Sequence, residues 1–215
     1  MIIQSMGHAF FTLTLENGAV IATDPYHAFY HYPNRMIKAD VCTVSHHHHD
    51  HDGVASLQPG AQVIETKGTH RFGEIDVTIT GVPTWHDHHE GARRGDNLFF
   101  VIEAEGLRIG HAGDLGHLPT EKQLKKIGKL DVLLLPVGGT YTVDASEALH
   151  VREMLEPAVC IPMHYRTQYN PDMRVTDLDT FLNLAKVKPE PMPLVRITAG
   201  DISQRDAIVV LEVTP

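Results

Sequence analysis

The segment that most constrains this chain is Ser45-His46-His47-His48-His49-Asp50-His51-Asp52-Gly53, which continues directly from the apolar and β-branched run Val41 to Val44. It contains His-x-His-x-Asp-His at positions 46, 48, 50 and 51. At the end of a strand, alternation sends His46 and His48 to one side, where two imidazoles can hold one metal ion. The turn that follows can present Asp50 and His51 to a second ion. His47 and His49 form a competing His-x-His pair, and the adjacent Asp50-His51 pair selects 46 and 48. A solvated polyhistidine loop or an expression tag is the alternative origin of such a run, but tags sit at termini and this run is internal.

The rest of the composition fits that reading. At 215 residues the chain has enough length for one substantial core, so residues 1–215 are read as a single domain. Hydrophobic residues make up 42% and charged residues 21%, ordinary for a soluble globular protein. Met1 to Met6 has no basic stretch leading into a long apolar run, and no segment approaches the ~20 apolar residues of a membrane span. A cytoplasmic protein without membrane contact is expected. Cys42 and Cys160 sit in short apolar runs and read as buried free thiols, consistent with a reducing compartment. The net charge of −9 disfavours wide contact with nucleic acid, which needs clustered Lys and Arg. A small-molecule substrate is expected as partner, and a homo-oligomer is compatible with the sequence. Of sixteen histidines, all but His70 and His150 gather around positions 8, 27–31, 46–51, 86–89, 111–117 and 164.

Strand signals dominate the chain. Phe10 to Leu15 and Ala19 to Thr23 flank Glu16-Asn17-Gly18, a hairpin-turn signature, and Glu105-Gly106 marks a second hairpin between Asn97–Glu103 and Leu107–His111. Further strands are predicted at Val41–Ser45, Gln62–Glu65, Ile75–Thr80, Val132–Leu135, Ala158–Ile161, Leu194–Thr198 and Ala207–Val213. Capping boxes at Thr120-Glu121-Lys122-Gln123 and Asp144-Ala145-Ser146-Glu147 open two helices, and Asp177 to Val187 has apolar residues at helical spacing. Asp52 to Leu57 is predicted as a short helix. The Pro-rich stretch Lys188 to Pro193 is read as a surface connection. Many strands with a few interspersed helices suggest two sheets packed face to face with helices outside.

Five short segments in order carry a family resemblance: Gly7-His8-Ala9-Phe10, Thr23-Asp24-Pro25, Pro83-Thr84-Trp85-His86, His111-Ala112-Gly113-Asp114 and Ile161-Pro162-Met163-His164-Tyr165. With the histidine motif they resemble the metallo-β-lactamase superfamily, in particular its uncharacterised hydrolases related to the ascorbate-6-phosphate lactonases. The resemblance implies an α/β (α+β) fold, an αββα sandwich of two mixed β-sheets with helices on the outer faces. It also implies that His46, His48 and His86 hold one divalent ion, that Asp50, His51 and His164 hold another, and that Asp114 bridges both. A carboxylate suits the bridge because its two oxygens can face different cations. Zinc is the first choice of metal, with manganese or iron as alternatives, since an all-His/Asp set accommodates each. The implied reaction is hydrolysis by a metal-bridging hydroxide, with Asp50, Asp114, His8 and His111 as catalytic candidates.

Trp85-His86 favours His86 over its neighbours His88 and His89. His8 and His111 are candidates for hydrogen-bonding a ligand or protonating a leaving group, or for satisfied core histidines. Asp24 is a candidate support for a ligand histidine, or a turn former before Pro25. Gly138-Gly139-Thr140-Tyr141-Thr142 resembles a Gly-Gly loop of the same branch, where backbone approaches the site. Tyr26, Phe29, Tyr30 and Tyr32 could roof a pocket or pack against a second subunit, and Arg93, Arg94 and Arg166 are candidates to bind an anionic group or solvated surface arginines. Flavodiiron oxidoreductases of this fold place Glu where His48 stands and add a flavin domain, so oxygen reduction is disfavoured. The expected substrate is a small, anionic ester, lactone or phosphodiester. A phosphodiesterase or nuclease of the same fold, or a non-catalytic metal-binding sensor, is the alternative.

Overall fold

Asn17-Gly18 closes the first hairpin as its residues predict. Asn17 Oδ1 accepts the Ala19 N–H at 2.9 Å, and Gly18 takes φ 85°, a conformation that costs glycine no side-chain clash. In the computed structural model, which describes residues 1–27, 31–33, 36–202 and 207–215, this hairpin pairs β2 (Phe10–Thr14) with β3 (Val20–Thr23). The hairpin lies within a six-stranded sheet with order β12-β1-β2-β3-β4-β5. Its other strands are β1 (Ile2–Gly7), β4 (Val41–Thr43), β5 (Gln62–Ile64) and β12 (Val195–Arg196).

The second sheet has seven strands in the order β13-β11-β10-β9-β8-β7-β6. They are β6 (Gly68–Phe72), β7 (Val77–Trp85), β8 (Asp96–Ala104), β9 (Leu107–His111), β10 (Val132–Pro136), β11 (Val159–Met163) and β13 (Ala207–Ile208). The β6 to β9 part is antiparallel, with Glu105-Gly106 turning β8 into β9, whereas β9, β10, β11 and β13 run parallel. Parallel pairing requires crossovers, and α1 (Glu121–Ile127) and α2 (Ala145–Leu155) supply them. Thr120 and Asp144 cap these helices with both halves of a capping box in place, as the sequence predicts. α1 packs on β7, α2 on β10, and α3 (Leu178–Ala185) on α2.

The two sheets share one core. Phe11, Leu13 and Ile21 from the first meet Ile79, Phe99, Ile102 and Ile109 from the second, all essentially without solvent exposure. Full burial of such a side chain stabilises by about 1.5–3 kcal/mol relative to exposure. A smaller cluster, with Met6, Phe10, Tyr26, Tyr32 and Leu57, covers the other face of the first sheet. There Asp52 to Leu57 forms only a 3-10 turn over Val54–Ser56. β12 and β13 are shorter than their predicted runs, whereas β1 and β6 form where no strand is predicted.

β1, β3, β4, β7, β9 and β11 all point the same way, and each ends next to a site segment. Their last residues, Gly7, Thr23, Thr43, Trp85, His111 and Met163, lead into His8, Asp24, Ser45–Asp52, His86, Asp114 and His164. Ligands in open α/β sheets bind beyond the carboxyl ends of strands, and this sandwich gathers six such ends at one edge.

Candidate metal centre

The seven residues that the resemblance nominated as ligands converge at that edge. His46, His48 and His86 each offer one ligand atom within 4.8 Å of the others, and His8, Asp50, His51 and His164 form a second such group. Bonds of ~2.0–2.2 Å keep two donors on one ion within ~4.4 Å of each other, so both groups have the span of a site. Asp114 stands between them. Its Oδ2 lies 3.1 Å from His86 Nε2, 3.8 Å from His46 Nε2 and 3.3 Å from His164 Nε2, while Oδ1 lies 3.1 Å from His51 Nε2.

Hydrogen bonds aim several of these groups. Asp24 Oδ2 accepts from His51 Nδ1–H at 2.8 Å, which leaves the Nε2 lone pair facing Asp114. Ser45 N–H donates to Asp24 Oδ1 at 2.8 Å and Ser45 Oγ donates to Asp24 Oδ2, so that hydroxyl accepts from His46 Nδ1–H at 2.9 Å. Asn97 Oδ1 accepts the Asp114 N–H at 2.9 Å, and its amide donates to Ala112 O and Thr84 Oγ1. Sequence reasoning reached Asp24 but missed Ser45 and Asn97, which belong to no ligand motif and matter through contacts made only on folding. His8, Asp24 and His164 all adopt positive φ, at 56°, 39° and 53°. Such strain in non-glycine residues collects at functional sites because surrounding structure must hold it.

His8 Nε2 lies 3.1 Å from Asp50 Oδ2, and burial together with His164 pushes the His8 imidazole down to about 4. The neutral ring therefore donates to Asp50. His111 is fully buried: Nε2–H donates to Ala9 O at 2.8 Å and Nδ1 accepts the Gly113 N–H at 3.2 Å, so the backbone takes both ring nitrogens. His88 is exposed near Glu147, away from Asp114.

The donor set fits a cation. His51 Nε2, His164 Nε2 and Asp114 Oδ1 are buried and make no hydrogen bond among the described residues, an expensive arrangement unless a ligand satisfies them. Burial also penalises the Asp114 carboxylate, yet His164 and His51 outweigh that and hold it well below the usual range. Burial likewise lowers His51, but Asp114, Asp24 and Asp50 raise it well above an ordinary histidine. A divalent cation among these donors would supply the positive charge that the buried carboxylate calls for.

A pocket of about 570 Å³ opens over His48, Asp50, His86 and Asp114, walled by Arg94, Tyr141, Tyr169, Met173 and Arg174. Arg94 sits 4.8 Å from the centre of the Tyr141 ring and donates to Thr140 O. The structure thus brings Arg94 to the pocket but not Arg166, whose guanidinium is held by both Asp177 oxygens at 2.8 and 2.7 Å. Arg93 lines a neighbouring depression with His88 and His89. Arg174 escaped sequence reasoning because it lies in a loop without a motif. The aromatic roof is also corrected: Tyr26 and Tyr32 are buried, their rings 5.0 Å apart, with Tyr26 OH donating to Met6 O. Apolar burial places these rings in the core, and Phe29 and Tyr30 lie outside the described residues.

Comparison with known proteins agrees with the fold. The family model described as "Beta-lactamase superfamily domain" matches residues 2–164. The chain belongs to the metallo-β-lactamase superfamily. A UPF0173 metal-dependent hydrolase of Carboxydothermus hydrogenoformans is 33% identical, covering 78% of this chain and 85% of its own. A second, from Thermococcus kodakarensis, is 32% identical with coverages of 77% and 84%. A crystal structure described as a Zn-dependent hydrolase of this superfamily from Thermotoga maritima superposes with TM-score 0.79 and 37% identity, covering 98% and 97% of the two chains. Igni18, a metallo hydrolase of Ignicoccus hospitalis, shares the fold at TM-score 0.70 and 24% identity. This superfamily member is accordingly a metal-dependent hydrolase, and no helix among its described residues is long and apolar enough to cross a membrane.

Proposed function

We propose that the chain is a binuclear hydrolase of small anionic esters, lactones or phosphodiesters. The observation that supports this most is the position of Asp114, one carboxylate in reach of histidines from both donor groups. His46, His48 and His86 would hold one divalent ion, Asp50, His51 and His164 the other, and Asp114 both. Zinc is preferred because the T. maritima relative is described as Zn-dependent. When bound, the ions supply Lewis acidity, lowering the pKa of water toward neutrality and polarising the substrate oxygen.

The chain's own residues do the rest. Asp50 lines the pocket and is pinned by His8, so it is the carboxylate that orients an attacking water and accepts its proton. We assign His8 and His111 positioning roles, the first toward Asp50 and the second tying β9 to the start of β2, because neither lines the pocket. Arg94 and Arg174 are the cations on the pocket wall. A chain of net charge −9 that retains two guanidiniums over a cluster of carboxylates is suited to admit an anion. Tyr141, Tyr169 and Met173 bound the apolar part of the substrate. Screening metal-quantified protein against lactones, phosphodiesters and acyl amides tests the proposal. Metal-dependent turnover of an anionic member is expected, and turnover confined to neutral or cationic compounds would refute the anion assignment.

A further inference from the structure

We infer that the outer side of the histidine loop is a separate, solvent-facing site for one transition-metal ion, built from His27, His49 and Asp52. His46 and His48 belong to the inner donor group, whereas the exposed His49 groups with His27 and Asp52. The Tyr26–His27 segment lies against that outer side, fastened by the His27 N–H to His49 O at 3.0 Å and the Gly53 N–H to Pro25 O at 2.7 Å. These bonds bring donors from two segments together: the ligand atoms of His27, His49 and Asp52 all lie within 4.8 Å of one another, and the His27 and His49 rings are 5.6 Å apart. His27 Nε2 is 3.1 Å from Asp52 Oδ1.

None of these side chains lines the pocket over Asp114. A surface ion pair needs one imidazole, whereas here two converge on one carboxylate. The other carboxylate oxygen, Oδ2, lies 3.5 Å from His47 Nδ1. Side-chain exposures of 43% for His27 and 26% for Asp52 leave the site open to an entering ion and to waters completing its shell. Two imidazoles and one carboxylate suit Zn²⁺, Cu²⁺ or Ni²⁺ and disfavour Mg²⁺ and Ca²⁺, which take oxygen ligands.

The test counts zinc in the full chain after equilibrium dialysis. It compares the parent with His27→Ala, His49→Ala, their double variant and the exposed-helix control His150→Ala, with folding checked by circular dichroism. Each single variant should lose one ion per chain, the double variant one and not two, and His150→Ala none. These differences do not depend on how many ions the inner site holds. Parent counts in the single variants, two ions lost in the double variant, or an equal loss in His150→Ala would overturn the assignment, the last outcome marking adventitious imidazole binding only.

Discussion

His46 and His51, which come from the first sheet, are aimed differently from His86 and His164, which come from the second. On the first sheet, Asp24 and Ser45 hold the Nδ1–H of each ring, so the tautomer is set and Nε2 is left as an acceptor. On the second sheet, the Nδ1 atoms of His86 and His164 are buried without a hydrogen bond among the described residues. Close packing positions their backbone instead. A Cβ at Gly116 would lie 2.3 Å from the His86 carbonyl carbon, and one at Gly138 would lie 2.2 Å from His164 O. One half of the centre is thus directed by polar contacts that also tune ligand basicity, the other by steric fit. Asp114 reaches histidines of both.

That contrast can be broken most completely at Asp114. Asp114→Ala should strip metal from both donor groups, each of which joins residues of the two sheets, and reduce hydrolysis to background; retention of one fully loaded group by elemental analysis would show that the two are independent. Asp24→Asn acts on one half. It should weaken metal binding and activity by about 10–100-fold, because it removes the carboxylate behind His51. Ser45→Ala should cost less, because it removes the hydroxyl between Asp24 and His46 but leaves the Asp24 carboxylate behind His51. Equal effects of the two on a metal titration would argue against Asp24 as the principal orienting group.

On the sterically held half, Gly138→Ala should destabilise the chain by about 1–3 kcal/mol through overpacking against His164 O, read as a lower denaturant midpoint. An unchanged midpoint would show that this loop yields. The smallest effects are expected at the pocket wall. Arg94→Lys or Arg174→Lys should raise KM about 10-fold at unchanged metal content where paired contacts to an anion are lost. Arg166→Lys should behave like the parent, since its partner is Asp177, and a KM increase there would redraw the pocket.

Much of this candidate centre was legible in the sequence because the residues that gather there lie in short motifs at strand ends, where turns act locally. His46, His48, Asp50 and His51 occupy one loop, and both helix caps are local signals. The groups that tune the site were less legible. Asn97 and Ser45 act through partners up to 21 residues away, and Arg174 reaches the pocket only through loop packing. Gln4 and Ser5 interrupt the apolar character of β1, and β6 is an exposed edge strand with little apolar burial. Both strands exist because of pairing across the sheet, with β2 and β7 respectively. Tyr26 and Tyr32 read as a candidate pocket roof because composition cannot say which face of a sheet a loop will cover.

Anomalous diffraction from a crystal of the zinc-loaded chain tests the central claim most directly. The account predicts two peaks flanking Asp114, one within bonding distance of His46, His48 and His86 and one within bonding distance of Asp50, His51 and His164, with an Asp114 oxygen contacting each. A single peak at saturating zinc, or two peaks of which only one contacts Asp114, would contradict it.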